Sequence, residues 1–209
     1  MKPTASLSLR DARVLPRRGF SLIEMLISLA IMLILFTMMF GFGSRRNQLT
    51  KTERCQANLQ KLYISLQIYA NEHADWFPRQ TNAVTSEDAL NVLVPQYAAD
   101  STIFVCPGSK DKPLPPGASL QGGRISYAYY MGRRQADAAL PLLSDRQVDT
   151  KPKVVHTQVF SDDGKKPANN HHKYGGAFLL CDGSTRSSGP TAPMALPLGT
   201  NIVLLNPKP

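Results

Sequence analysis

The sequence predicts an α+β chain: one long N-terminal helix, membrane-spanning in its first half and amphipathic in its second, packed on a small and mostly antiparallel β-sheet head. Three observations carry this. From Leu22 to Phe42 the only ionisable side chain is Glu24, among Leu, Ile, Met, Phe, Ala, Gly, Ser and Thr. From residue 44 to 77 no Pro or Gly occurs, and apolar residues recur at helical spacing. Beyond Pro78, short apolar runs alternate with Pro- and Gly-rich segments, the punctuation of strands and loops. The chain has 209 residues, 43% hydrophobic and 19% charged, which suits one domain plus an appendage and excludes a disordered or fibrous chain.

Residues 1–19 form a basic leader. Lys2, Arg10, Arg13, Arg17 and Arg18 against Asp11 give it a net +4, nearly half of the whole chain's +9. Basic residues ahead of an apolar span keep that end in the cytoplasm, so the residues after the span face outward. With much of the charge spent on orientation, and no basic stripe interleaved with aromatics, nucleic acid is not the expected partner. The span itself, residues 20–43, matches the roughly 20 apolar residues that cross a hydrocarbon layer of about 30 Å. Membrane lipid is therefore an expected partner, and a soluble cytosolic protein is excluded.

Residues 44–77 are the amphipathic half of the helix. Cys55, Leu59, Leu62, Leu66, Tyr69 and His73 follow one another at steps of four and three, which places them on one face. Pro78 is a natural stop, so one helix from about Ser21 to about Ala74 would be roughly 80 Å long. His73 sits at the end of that face, where a histidine most often packs or caps.

The head, residues 78–209, opens with Thr85-Ser86-Glu87-Asp88, a hydroxyl N-cap before two carboxylates, which predicts a short helix limited by Pro95. Thr102 to Cys106 reads as a strand, and residues 107–123, with four Pro and four Gly, as a long loop. Further strands are expected at Ile125–Met131, Leu140–Leu143, Val154–Phe160, Ala177–Cys181 and Ile202–Leu205. Asp182-Gly183 after the apolar run is a hairpin turn, because glycine readily takes the positive φ such turns demand.

The junction Arg17-Arg18-Gly19-Phe20-Ser21-Leu22-Ile23-Glu24-Met25-Leu26 lacks the Ala-x-Ala site that would follow a secretory signal. It resembles the processing and methylation site of type IV pilin-like proteins, which include the pseudopilins of type II secretion systems. The resemblance implies that a prepilin peptidase cuts between Gly19 and Phe20 and that the new Phe20 amine is N-methylated, leaving 190 residues. It implies a single-pass inner-membrane protein with a periplasmic head, and other pilin-like subunits and the membrane assembly machinery as partners. It also implies assembly through Glu24. A carboxylate at the edge of hydrocarbon needs a neutralising cation, and a neighbouring subunit's Phe20 amine supplies one.

Two stretches of the long helix, Cys55-Gln56-Ala57-Asn58-Leu59 and Asn71 to Pro78, resemble a bacterial pseudopilin-like subfamily. So does His172 followed by nine residues and Asp182-Gly183, the head-hairpin signature of that subfamily. Cys181 beside the turn and the tail from Ser187 depart from it. The resemblance leaves pilus subunits for adhesion, motility or DNA uptake as the nearest alternative to a pseudopilin.

Three cysteines, Cys55, Cys106 and Cys181, follow the span and so face an oxidising compartment. Their spacing fits no zinc template, which favours one disulfide and one buried thiol. Spacing does not choose the pair; Cys55 with Cys106 is the preferred one. No cofactor is required. Asp162, Asp163 and Asp182 are the hard oxygen donors available to calcium, an ion that major pseudopilins often hold, although no loop here repeats their ligand pattern. A tethered periplasmic enzyme would need His172 as base, Asp182 as its orienter and Ser184 or Cys181 as nucleophile. No nucleophile elbow or oxyanion loop accompanies them, and the chain is expected not to be an enzyme.

Overall fold

The structure, a computed structural model, describes residues 19–41 and 43–209. It divides into two compact units between Gly43 and Ser44. The first contains α1 (Leu22–Gly41). This helix is apolar on all sides, and its large side chains, such as Leu22, Met32 and Met39, are exposed. Leu22–Met39 is the one described helix long and apolar enough to cross a membrane. The helix expected to run unbroken to Ala74 is described as α1 and α2 (Gly43–Glu72), with Phe42 between them outside the described residues.

The second unit holds the rest of α2 and the head. Cys55, Leu59, Leu62, Leu66 and Ala70 of α2 are fully buried. Each buried leucine contributes about 2 kcal/mol by leaving water. The face therefore ends on Ala70. His73 is exposed, its ring stacked on Tyr69 at 3.8 Å and its Nδ1 2.7 Å from the Tyr69 carbonyl oxygen. Ala74 and Asp75, at φ +53° and +64°, turn the chain left-handed, and the Asp75 amide donates to the Ala70 carbonyl, closing the helix two residues before the expected stop.

Five strands form one antiparallel sheet in the order β4-β3-β2-β1-β5, where β1 is Tyr127–Met131, β2 Pro141–Asp145, β3 Gly176–Leu180, β4 Thr185–Ser188 and β5 Val203–Leu205. Tyr127, Tyr129, Leu143, Ala177 and Leu179 join the α2 leucines in the main core. The short α3 (Ser86–Leu90) starts after Thr85 as expected, with the Asp88 carboxylate accepting from the Thr85 amide and hydroxyl, each at 2.9 Å. It adds Ala89 and Leu90 to the same core.

Two expected strands are something else. Ser101–Phe104 is a 3₁₀ turn, because the Asp100 carboxylate takes the Thr102 amide and hydroxyl at 3.0 and 2.6 Å and starts a local turn that competes with extension. Val154–Phe160 is not a strand: its backbone bonds to the C-terminal tail, such as those from the Val159 and Phe160 amides to the Pro190 carbonyl, form no ladder beyond the isolated bridge of Gln158 with Thr191 and, just before the segment, that of Lys153 with Leu196. Pro152, Pro190, Pro193 and Pro197 have no amide to donate, so no continuous ladder forms. The unplaced tail thereby acquires a role. Ala192 and Leu196 pack with Val159, Phe160 and Phe178 against the far side of the sheet from α2. Farther on, the Lys208 amide donates to the buried carboxylate of Glu87.

Candidate functional site

The N-terminal candidate residues lie at the start of α1. Gly19 and Phe20 precede the helix, both exposed, and a β-carbon added at Gly19 would meet nothing within 4 Å. The Ser21 carbonyl accepts from the amides of Glu24 and Met25 at 3.0 and 3.2 Å, opening the first turn. Glu24 lies in that turn and is exposed, a carboxylate near the positive end of the helix dipole on an otherwise apolar rod. The basic pair Arg17-Arg18 lies outside the described residues.

In the head, the signature residues stand at opposite ends of β3. Gly183 takes φ +85° in the β3–β4 turn, and the Asp182 Oδ1 atom accepts from the Ser184 amide and hydroxyl at 2.8 and 2.6 Å. The Ser184 hydroxyl bond, chiefly, holds the Asp182 carboxyl below the usual range. The turn is docked on α2 by Tyr63. Its hydroxyl donates to the Cys181 carbonyl oxygen at 3.0 Å, and its ring would stand 2.5 Å from a β-carbon at Gly183.

His172 is exposed at φ +58°, its ring lying over Gly164 and 6.3 Å from that of Tyr174. The Asp182 carboxylate and the Ser184 hydroxyl bond to each other. Burial pushes the Cys181 thiol up to about 12, so it is no nucleophile at neutral pH. The residues a tethered hydrolase would need are therefore not assembled. Asp162 and Asp163 are exposed in a loop where Asp163 is occupied by Ser161, the Lys165 amide and the Lys165 ammonium, whereas Asp182 belongs to the β3–β4 turn.

The buried polar centre of the head lies one residue from the signature histidine. Cys55 of α2 and Cys106 form a disulfide, and Cys181 is a free buried cysteine. The His171 Nε2 atom is 3.3 Å from the Cys106 sulfur and 3.2 Å from the Asp145 Oδ2 atom, with both side chains buried. Asp145 is anchored in turn by the Asn170 amide group at 2.7 Å and the Ala177 amide at 2.8 Å. His171 and Asp145 had no signal in the sequence beyond the doublet His171-His172, because a side-chain contact between residues 26 positions apart has no spacing rule.

Residues 16–40 match the family model of the prokaryotic N-terminal methylation motif. No curated protein and no solved structure matches the chain. The chain thus carries a prepilin-type methylation motif over the leader junction and α1, and this supports the type IV pilin-like resemblance.

Proposed function

We propose that the chain is a structural subunit of a filament, a pseudopilin of a type II secretion-like apparatus. The observation that carries this is the methylation motif joined to α1, a helix with no polar face, whose only charge is Glu24 in its first turn. A rod of this composition is stable in lipid or among copies of itself, where apolar packing replaces lipid contact. Prepilin peptidase would cut the Gly19–Phe20 bond and expose the Phe20 amine, still cationic after methylation. Inserted into a growing bundle, that amine pairs with Glu24 of an adjacent subunit and sets the axial stagger of the two helices.

The head then forms the outer surface of the filament and pushes or binds cargo, with inner-membrane assembly machinery supplying subunits from below. The role is mechanical and needs no catalytic group, which agrees with the separation of His172 from Asp182 and Ser184. The test is the intact mass of membrane-extracted protein together with the mass of its N-terminal peptide. A start at Phe20 with one added methyl group is expected; an intact Met1 terminus would overturn the proposal. Deleting the gene and assaying secreted proteins beside surface pili then separates a secretion pseudopilus from a pilus for adhesion, motility or DNA uptake.

A further inference from the structure

We propose that the Cys55–Cys106 disulfide is one of two closed states of a single site, and that in the reduced state Cys55, Cys106, Asp145 and His171 bind one zinc ion. The four side chains are buried, and one donor atom from each lies within 4.8 Å of all the others. Two thiolates, an imidazole nitrogen and a carboxylate oxygen are a donor set for tetrahedral zinc, and sulfur disfavours calcium or magnesium.

The distances already approach those of a metal site. With Zn–N and Zn–O near 2.1 Å and Zn–S near 2.3 Å, a tetrahedron has N···S edges of about 3.6 Å and N···O edges of about 3.4 Å. His171 Nε2 lies 3.3 Å from the Cys106 sulfur and 3.2 Å from Asp145 Oδ2, so these two edges need to lengthen by only a few tenths of an ångström. The larger change is at the sulfurs, which must move to about 3.8 Å apart once their bond is broken.

The surrounding groups orient each ligand. The Thr52 hydroxyl lies 3.3 Å from His171 Nδ1 and leaves Nε2 to face the other donors. The Gly108 amide donates to the Cys106 sulfur at 3.3 Å, a bond that a thiolate accepts better than a disulfide does. The Asn170 side-chain amide and the Ala177 backbone amide hold the Asp145 carboxylate by hydrogen bonds, as the outer partners of metal-binding carboxylates do. A cavity of about 390 Å³ lined by Asn58, Val105, Cys106 and Asp111 lies beside the site.

The chemistry balances in two steps. A dithiol reductant gives two electrons and two protons to the S–S bond and becomes a disulfide, leaving Cys55 and Cys106 as thiols. Zinc(II) then binds both sulfurs as thiolates and releases the two protons, with no further redox change. The site lies wholly in the second unit and is independent of how the chain assembles.

The experiment uses the full mature chain in detergent, reduced with a phosphine, freed of reductant without air and titrated with cobalt(II) as a spectroscopic stand-in for zinc. The reduced protein is expected to take up one cobalt with thiolate-to-metal charge-transfer and tetrahedral d–d bands, bleached by one equivalent of zinc, and the oxidised protein none. Cys181→Ser should keep these bands, while His171→Gln and Asp145→Asn should weaken binding at least tenfold. Zinc should also shield Cys55 and Cys106 of the unsubstituted chain from alkylation, a readout that does not depend on any variant folding. Absence of the bands in the reduced chain, whether folded or unfolded, would overturn the proposal. So would bands lost in Cys181→Ser, or undiminished in both His171→Gln and Asp145→Asn.

Discussion

The Tyr63 hydroxyl donates to the Cys181 carbonyl oxygen at 3.0 Å, tying the long helix to the β3–β4 turn. The same ring occupies the space that a side chain at Gly183 would need, and Gly183 itself sits at φ +85°. The Asp182-Gly183 pair thus does more than reverse the chain. It gives the aromatic ring of α2 a flat backbone seat.

Gly183→Ala is expected to destabilise the head by about 1–3 kcal/mol, from a left-handed backbone and a displaced Tyr63. Tyr63→Phe should cost about 1 kcal/mol, because only the hydrogen bond is lost. Urea unfolding of each purified variant checks the order, and an unchanged midpoint for Gly183→Ala would refute the seating argument.

How much of this was legible beforehand depended on the range of the interactions. The Thr85–Asp88 cap, the Asp182-Gly183 turn and the α2 leucines are local or periodic patterns, and each appears where the spacing placed it. Thr102–Cys106 has the look of a strand, but the Asp100 carboxylate just before it captures the Thr102 amide and hydroxyl in a turn. Val154–Phe160 does not become a strand because its partner is a proline-punctuated tail that cannot complete a ladder. His171 with Asp145 was invisible for a different reason. A buried pair made by strand register and a loop leaves no period, and the neighbouring His172 carried the more recognisable motif while pointing to the surface.

Acid should weaken the head through a specific set of caps. The Thr85 amide bond to Asp88, the Thr102 hydroxyl bond to Asp100 and the Ser184 hydroxyl bond to Asp182 each lead the causes that lower those carboxyls from the ordinary aspartate value. A folded-state pKa below the unfolded one stabilises above the unfolded value of about 3.9, and that stability is lost as the pH falls through the folded values. Thermal midpoints should therefore be flat from pH 7 to 5 as far as these groups are concerned and fall below pH 4. Asp88→Ala should remove about 1 kcal/mol at pH 7, the usual value of a helix cap, and flatten part of the acid limb.

The C-terminal tail is expected to be indispensable to the head. Leu196 is 1% exposed and packs with Phe160 and Phe178 on the sheet face opposite α2. Leu196→Ala should cost about 2–5 kcal/mol. Truncation after Ser188 also removes β5 and leaves the buried Glu87 carboxylate without the Lys208 amide, so the shortened head should be degraded in limited proteolysis. A protease-resistant truncated head would show that the tail merely decorates the sheet.

Glu24 provides the sharpest separation between a membrane anchor and an assembly helix. For anchoring alone the carboxylate is a cost, since apolar residues surround it in α1, and replacing it should leave insertion unchanged or improved. In the proposed filament it would neutralise an amine otherwise buried unpaired, a loss worth about 3–5 kcal/mol, or about two to nearly four orders of magnitude in association. Glu24→Ala is therefore expected to insert in the membrane at wild-type levels while sheared, sedimentable filaments disappear. Glu24→Gln, which keeps the shape and hydrogen bonding without the charge, should be nearly as defective, because the amine needs a counter-charge more than a partner atom. Normal filaments from both variants would confine the role of α1 to anchoring and leave the stagger of neighbouring helices to apolar packing alone.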